Sequence, residues 1–345
     1  MKNYVIEKQV KSPEEIIKEL PLSKELEQKI KKDIQEIKKI IDGKDDRKIL
    51  IIGPCSAWPD SAVIEYAKKL KKIEEKVSNK IKIIMRIYTQ KPRTNLGWTG
   101  PANQPDPVKP ANIEKGIIYC RKMMLEVLKI GLPIADEALF THNEGYFQDI
   151  LCWQAIGARS TEDQEHRIYA SMQNVPVGIK NPTSGDMKIA INSIVAAKNP
   201  HTFLLNGKQI RTLGNPHAHL VLRGGAGKSN IMHNDLIETI SKLKEINSNS
   251  IIIDLSHDNS IDPATCKKDP LFQPQALEGV LHNMKLEPEI KKHVVGFMVE
   301  SFIKTGRQDI SDQMDLEGLS ITDACIGWEK TQALIFELFS ALQTV

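Results

Sequence analysis

This 345-residue chain has no long apolar run, no closely spaced cysteine pair and no large excess of either charge, and each absence removes a class of function. Its apolar stretches fall well short of the roughly 20 residues needed to span a bilayer, so no membrane partner is expected. The opening segment MKNYVIEKQVKSPEE is charged and lacks the apolar core of a secretory signal. The five cysteines, at positions 55, 120, 152, 266 and 325, are odd in number, scattered, and form no C-x-x-C motif. A reducing, cytoplasmic setting is expected rather than a disulfide framework. A formal net charge of +3 is too small for the basic surface of a nucleic-acid-binding protein. What remains, 41% apolar and 26% charged, is a globular composition of enzyme size, enough for one large barrel or two modest domains.

Ile and Leu recur at helical spacing among Lys and Glu over residues 13–42, which predicts an amphipathic N-terminal extension ending at DGKDD. Beyond it, apolar runs alternate with helical patterns. The runs are KILIIG (48–53), IKIIMRI (81–87), LPIADE (132–137), CWQAIGA (152–158), VPVGIK (175–180), HAHLVLR (217–223), SIIIDLS (250–256) and HVVGFMVE (293–300). Helices are expected near 60–77, 112–129, 144–151, 162–173, 186–197, 233–246, 270–286 and 328–343. Continuous apolar strands suit a parallel sheet covered on both faces. One run, HTFLLN (201–206), has no helix after it and reads as half of an inserted hairpin closed near GKQIRTLGN, before the sixth strand. Eight strand–helix units without a nucleotide fingerprint favour a (β/α)8 TIM barrel over a doubly wound open sheet. The expected division is an N-terminal helical extension, 1–46, with an oligomer or regulatory role, and a catalytic barrel, 47–345.

Each apolar run ends in a group able to hold charge or metal. In order these are Cys55, Arg86, Asp136 with Glu137, Arg159, Lys180, Arg223, His257 and Glu300. Barrel active sites lie at the C-terminal ends of the strands, so these ends should converge on one mouth. A single polar strand end is usually a solvated turn, but eight together argue for a ring. Arg86, Lys91, Arg93, Arg159, Lys180 and Arg223 make it strongly cationic, and buried without partners they would demand anions. Six cations exceed one phosphate monoester of about −2, which points to two phosphorylated ligands, one also carrying a carboxylate. Cys55, His257, Glu300 and Asp323 form a thiolate–imidazole–carboxylate set suited to a divalent Mn, Fe, Co or Zn ion.

Three features have plainer readings. LRGGAGKS (222–229) ends like a phosphate-binding loop, but Leu222 stands where that motif requires glycine. The HAH of residues 217–219 reads as a polar layer inside the barrel rather than a metal site. Cys152 reads as a buried thiol, with nothing nearby to activate it.

The motifs GPCS (53–56), MR-Y--KPRT--GW-G (85–100), GAR-TE-Q-HR (157–167), LRGG (222–225), SH-NS (256–260), G-MVES (296–301) and SITDACIGWE (320–329) occur in this order. Together they resemble the class I 3-deoxy-D-arabino-heptulosonate 7-phosphate (DAHP) synthases, and the likeness runs from about residue 43 onward. KPRT separates that family from related phosphoenolpyruvate-condensing barrels. The resemblance implies a transferase that condenses phosphoenolpyruvate with erythrose 4-phosphate, releasing phosphate, in the first step of the shikimate pathway. It implies that Cys55, His257, Glu300 and Asp323 are metal ligands. Arg86, Lys91, Arg159, Lys180 and Arg223 would contact phosphoenolpyruvate, and Lys91, Pro92, Arg93 and Thr94 would contact erythrose 4-phosphate. Lys91, touching both substrates, is the candidate proton donor, with Cys55 and His257 as the other catalytic candidates. A homodimer or homotetramer is also implied.

Pro182 stands where the family has glycine, Trp58 departs from the usual GPCS continuation, and the hairpin is shorter than in typical members. Pro182 and Trp58 leave open a synthase for a different aldose phosphate in secondary metabolism. A non-catalytic phosphosugar-binding regulator is the remote alternative, and its signature, loss of a ligand or cation from the ring, is not found. The altered hairpin and arm lead us to expect weak inhibition, or none, by phenylalanine or tyrosine.

Overall fold

A computed structural model describes residues 2–143 and 145–344. Eight parallel strands close into a barrel: β1 (Lys48–Gly53), β2 (Ile81–Arg86), β3 (Ile134–Ala138), β4 (Trp153–Ile156), β5 (Val177–Lys180), β8 (His219–Leu222), β9 (Ile251–Asp254) and β12 (Val294–Glu300). The closed order β1-β12-β9-β8-β5-β4-β3-β2 follows the chain round once, apart from two hairpins that stand outside it. The barrel residues are buried on both faces, which is why their sequences are apolar without alternation. This is the expected (β/α)8 architecture, with every strand pointing its C-terminal end to the same rim.

The first hairpin pairs β6 (Thr202–Leu205) with β7 (Lys208–Arg211) before the sixth barrel strand, as expected. Its turn is Asn206-Gly207, with φ of 48° and 74°, the conformation that two-residue hairpin turns need. The second hairpin, β10 (Ile261–Asp262) with β11 (Lys267–Lys268), has strands of two residues and left no pattern in the sequence.

The outer helices are α3 (Asp60–Val77), α4 (Ile113–Ile130), α5 (Gln164–Met172), α6 (Met187–Lys198), α7 (His233–Glu245), α8 (Gln273–Leu286), α9 (Pro288–His293) and α10 (Trp328–Thr344). One expected helix is not formed. The expected span 144–151 begins at residue 144, outside the described set, and over 145–151 the chain makes bends and turns after a short 3-10 segment, Thr141–Asn143. Gly145, at φ 95°, breaks the pattern there. Among the described residues no helix is long and apolar enough to cross a membrane.

The N-terminal segment is two helices rather than one, α1 (Pro13–Glu19) and α2 (Lys24–Ile41). Pro21 separates them, as its ring and missing N–H require. α2 lies against the N-terminal end of the barrel. Its Ile30, Ile37, Ile40 and Ile41 join the main core, and Asp33 meets Lys82 of β2 at 2.6 Å. Ser250, just before β9, donates to the Ile41 carbonyl at 2.5 Å.

Trp153 and His219 form the barrel floor, with the indole N–H donating to His219 Nε2 at 3.2 Å. His219 is fully buried, and desolvation holds its pKa down near 4, so it is neutral. His217 lies before the strand and faces Asp42 at 3.4 Å, so only His219 belongs to the interior layer. Cys152 is the buried thiol expected, its pKa pushed up to about 12 by burial.

The floor leaves no room at Gly178. A β-carbon there would meet Trp153 Cζ2 at 2.2 Å and Val221 Cγ2 at 2.7 Å. Gly178→Ala is expected to cost about 1–3 kcal/mol by overpacking. A lower urea midpoint with an unchanged slope would show it, and an unchanged midpoint would mean the floor yields freely.

Candidate active site

One cavity of about 390 Å3 opens at the C-terminal rim of the barrel. Arg86, Lys91, Pro92, Arg93, Thr94, Arg159, Lys180, Arg223, His257, Glu300 and Asp323 line it, together with Glu137. Cys55, fully buried, lies just behind, with its sulfur grouped with Glu300 and Asp323 oxygens within 4.8 Å of one another. His257 lines the same cavity but stands outside that tight group.

Asp136 does not join the ring. It points away from the barrel axis, accepting from the Thr89 N–H at 3.0 Å and the Thr89 hydroxyl at 2.6 Å. Neighbouring strand residues face opposite ways, so only Glu137 of that pair reaches the mouth. Burial raises the Asp136 pKa to about 7 despite those hydrogen bonds. Its task is to hold the end of β2, where the KPRT loop begins.

Three of the deep cations have carboxylate partners within the protein. Arg86 meets Glu300 at 3.0 Å, Lys180 meets Asp254 at 2.9 Å, and Arg223 meets Asp258 at 3.4 Å. Each pair offsets the desolvation that a lone buried charge would suffer. Arg86 still keeps one buried nitrogen, Nη1, without a hydrogen-bond partner among the described residues, and its guanidinium stacks on Tyr88 with 3.9 Å to the ring centre. The outer cations have lighter ties. Arg93 is exposed, and Arg159 donates to the Thr94 hydroxyl at 3.0 Å, joining the loop after β4 to the KPRT loop.

Lys91 reaches inward, its Nζ 2.9 Å from the Cys55 carbonyl and 3.1 Å from Cys55 Sγ. Burial works against its charge, but Cys55 and Glu300 raise its pKa above the usual lysine value, so it is an ammonium. Burial pushes the Cys55 thiol up to about 12, with Glu300 adding to the rise and Lys91 opposing it. The thiol also lies 3.6 Å from Asp323 Oδ2. Burial raises the Asp323 pKa, but Lys91 and His257 outweigh it and hold the carboxylate ionised. Asp254 follows the same logic: burial opposes its charge, while His257 and Lys180 keep it well below the ordinary range.

The KPRT loop is braced from below. Trp58, Trp98 and Ile321 form a small apolar cluster apart from the main core. The Trp58 and Trp98 indoles donate to the carbonyls of Pro105 and Gln104 at 3.0 and 2.8 Å. Gly100, at φ 104°, lets the chain turn where a β-carbon would sit 2.4 Å from the Thr89 carbonyl. Trp58 is therefore a support for the loop. Pro182 sits in a turn whose carbonyl accepts from Gly185 N–H at 2.9 Å, and the adjacent Thr183 lines the cavity.

Several participants were missed in the sequence. Lys268 lines the mouth from the second hairpin and pairs with Asp258 at 2.8 Å. Asn181 accepts the Arg223 backbone N–H at 2.9 Å and donates to the Gly224 carbonyl at 2.7 Å, fixing where Arg223 starts. Asp254 alone carried a readable signal, a carboxylate inside the apolar run IIIDL.

Known proteins resemble the chain over nearly its full length. A Schizosaccharomyces pombe protein named putative phospho-2-dehydro-3-deoxyheptonate aldolase is 41% identical over 315 residues, 88% of this chain and 83% of that protein. The Tyr-sensitive phospho-2-dehydro-3-deoxyheptonate aldolase of Escherichia coli is 37% identical over 340 residues, 96% of this chain and 92% of its own. The solved structure of the Francisella tularensis phospho-2-dehydro-3-deoxyheptonate aldolase superposes with a TM-score of 0.92 at 36% identity, covering 99% of each chain. Residues 22–335 match the family described as DAHP synthetase I, and with that extent of likeness the chain belongs to it.

Proposed function

We propose that this chain is a metal-dependent DAHP synthase whose mouth residues divide between two phosphorylated substrates. The carrying observation is one cavity, in a member of this family, that joins paired cations to a thiol–carboxylate cluster. The reaction condenses phosphoenolpyruvate with erythrose 4-phosphate and releases phosphate, opening the shikimate pathway. The alternatives of another aldose phosphate or a non-catalytic binder gain no support. The relatives carry the aldolase name along most of their length, and every expected ligand and cation is present.

Cys55, Glu300 and Asp323 fit a divalent ion, since a sulfur and two carboxylates lie within 4.8 Å of one another. His257 would complete the set, and its mixed S, N and O donors suit Mn, Fe, Co or Zn. Such an ion, when bound, supplies Lewis acidity to an aldehyde oxygen.

The chain's own residues do the rest. Arg86, with its free Nη1, and Lys180, Arg159 and Arg223 hold the carboxylate and phosphate of phosphoenolpyruvate. Arg93 and Thr94 hold the phosphate of erythrose 4-phosphate. Bringing two anions together is the main obstacle, and fixed cations remove it through proximity and preorganisation. C3 of the enol attacks the aldehyde carbon, water adds at C2, and phosphate leaves by C–O cleavage. Lys91 holds a proton between the two substrate sets and gives it to the new alkoxide.

Exposed Tyr4, Val5 and Ile6 on the N-terminal arm, and Leu204 and Leu213 on and beside the first hairpin, support self-association as a dimer or tetramer. Five cysteines that are all free fit a reducing, cytoplasmic setting.

Two experiments test the assignment. A chelator should abolish turnover and Mn, Co or Zn should restore it, while Cys55→Ala folds but stays nearly inactive with every ion. Because the thiol is protonated at neutral pH, binding an ion should release about one proton more in wild type than in Cys55→Ala. Affinity should accordingly fall as pH falls, by about tenfold per unit. Full activity in excess chelator, or equal proton release, would overturn the metal site.

The substrate partition rests on Arg93 and Arg223. Losing a charge-assisted hydrogen bond costs about 1.5–3 kcal/mol, or roughly ten- to a hundredfold in affinity. Arg93→Ala should raise KM for erythrose 4-phosphate by that factor and leave phosphoenolpyruvate affinity, titrated without aldehyde, within a few-fold. Arg223→Ala should do the reverse. If both variants weaken phosphoenolpyruvate equally, the ligands must be reassigned.

A further inference from the structure

β9 is apolar except for its last residue, Asp254, whose side chain is wholly buried. Asp254 Oδ2 lies 2.9 Å from Lys180 Nζ and 3.0 Å from His257 Nδ1. Asp254 Oδ1 accepts from the Ser256 N–H at 3.1 Å and the Ser256 hydroxyl at 2.6 Å. The Ser256 oxygen in turn sits 2.8 Å from His257 Nδ1. A serine hydroxyl that donates to Asp254 has only lone pairs left for the ring, so Nδ1 carries the proton. In the neutral ring that a metal ion requires, Nε2 then bears the lone pair, and it has no hydrogen-bond partner among the described residues.

We propose that Asp254 is a positioning residue shared by both halves of the site, fixing His257 in its ion-binding tautomer while holding Lys180 for the anionic substrate. The proposal rests on His257 being a metal ligand, as read above. The competing account is that Asp254 only neutralises Lys180. Geometry favours the shared role, because the second carboxylate oxygen is committed to Ser256, which leads to the ring and not to the lysine. His257 also has a φ of 59°, a conformation that a side chain bearing a β-carbon keeps only when its surroundings impose it. A carboxylate on the far nitrogen of a ligand histidine orients the ring and strengthens its donor atom, and losing one typically lowers metal affinity 10- to 100-fold.

The test is a double-mutant cycle of Lys180→Met and Asp254→Asn. Zinc affinity is measured by competition with a chromophoric chelator, and phosphoenolpyruvate affinity by titration of the metal-free protein. Lys180→Met should weaken phosphoenolpyruvate but keep zinc affinity within a few-fold. The double variant should bind zinc roughly 10- to 100-fold more weakly than Lys180→Met. Asp254→Asn alone should weaken both ligands. If that variant does not fold with Lys180 left unpaired, the double variant, which strands neither charge, still decides. Equal zinc affinity in Lys180→Met and the double variant would overturn the shared role. His257→Ala separates the two levels of the argument: if it binds zinc as tightly as wild type, the ligand assignment has failed and this proposal with it. If it binds weakly while the cycle shows no difference, only the role given to Asp254 is lost.

Discussion

A carboxylate stands behind three of the buried cations of the mouth, Arg86, Lys180 and Arg223, and the rest of the site depends on that pairing. Arg86 and Glu300 come from β2 and β12, which both flank β1 in the closed order. Lys180 and Asp254 come from β5 and β9, which both flank β8. Barrel interiors are built in layers supplied by alternate strands, so such partners are brought level by closure itself. Arg223 and Asp258 extend the scheme just beyond the strand ends. Charges matched in this way can be held rigid before any ligand arrives, which is what electrostatic preorganisation requires. The pairs also share their members. Glu300 belongs both to an arginine pair and to the thiol–carboxylate cluster, so the proposed metal side and anion side meet at that residue.

Rigidity at depth contrasts with the rim. Arg93, Thr94 and Arg159 are exposed, and the loop that carries the first two is held by a separate apolar cluster and a few backbone contacts. The deep site is fixed by the barrel core. The rim is fixed by local packing, so it has fewer supports to lose.

The barrel was legible because its strands are continuous apolar runs and each ends in a conspicuous polar residue. The ring of strand ends follows from that, with Asp136 as the exception: its orientation depends on a strand register that polarity alone does not reveal. The missing helix at 144–151 was masked by an apolar spacing that Gly145 interrupts. Lys268 was invisible because two-residue strands have no periodicity, and it reaches the mouth only through the hairpin's path in space. The carboxylate partners of the deep cations were hidden for a related reason. Sequence shows which charges end the strands, but pairing depends on which strands lie two apart in the closed sheet. Asp254 could have been noticed, since a lone carboxylate in an apolar run must find a partner when buried.

The indole cluster below the KPRT loop has an optical consequence. Two of the protein's four tryptophans, Trp58 and Trp98, sit where that loop rests, each donating to a carbonyl of the adjoining segment. Trp153 lies sealed in the barrel floor, and Trp328 opens the final helix. The intrinsic emission of the unlabelled chain is therefore divided between the KPRT loop and sites away from it, so the molecule carries both a probe of its own rim and an internal reference for it.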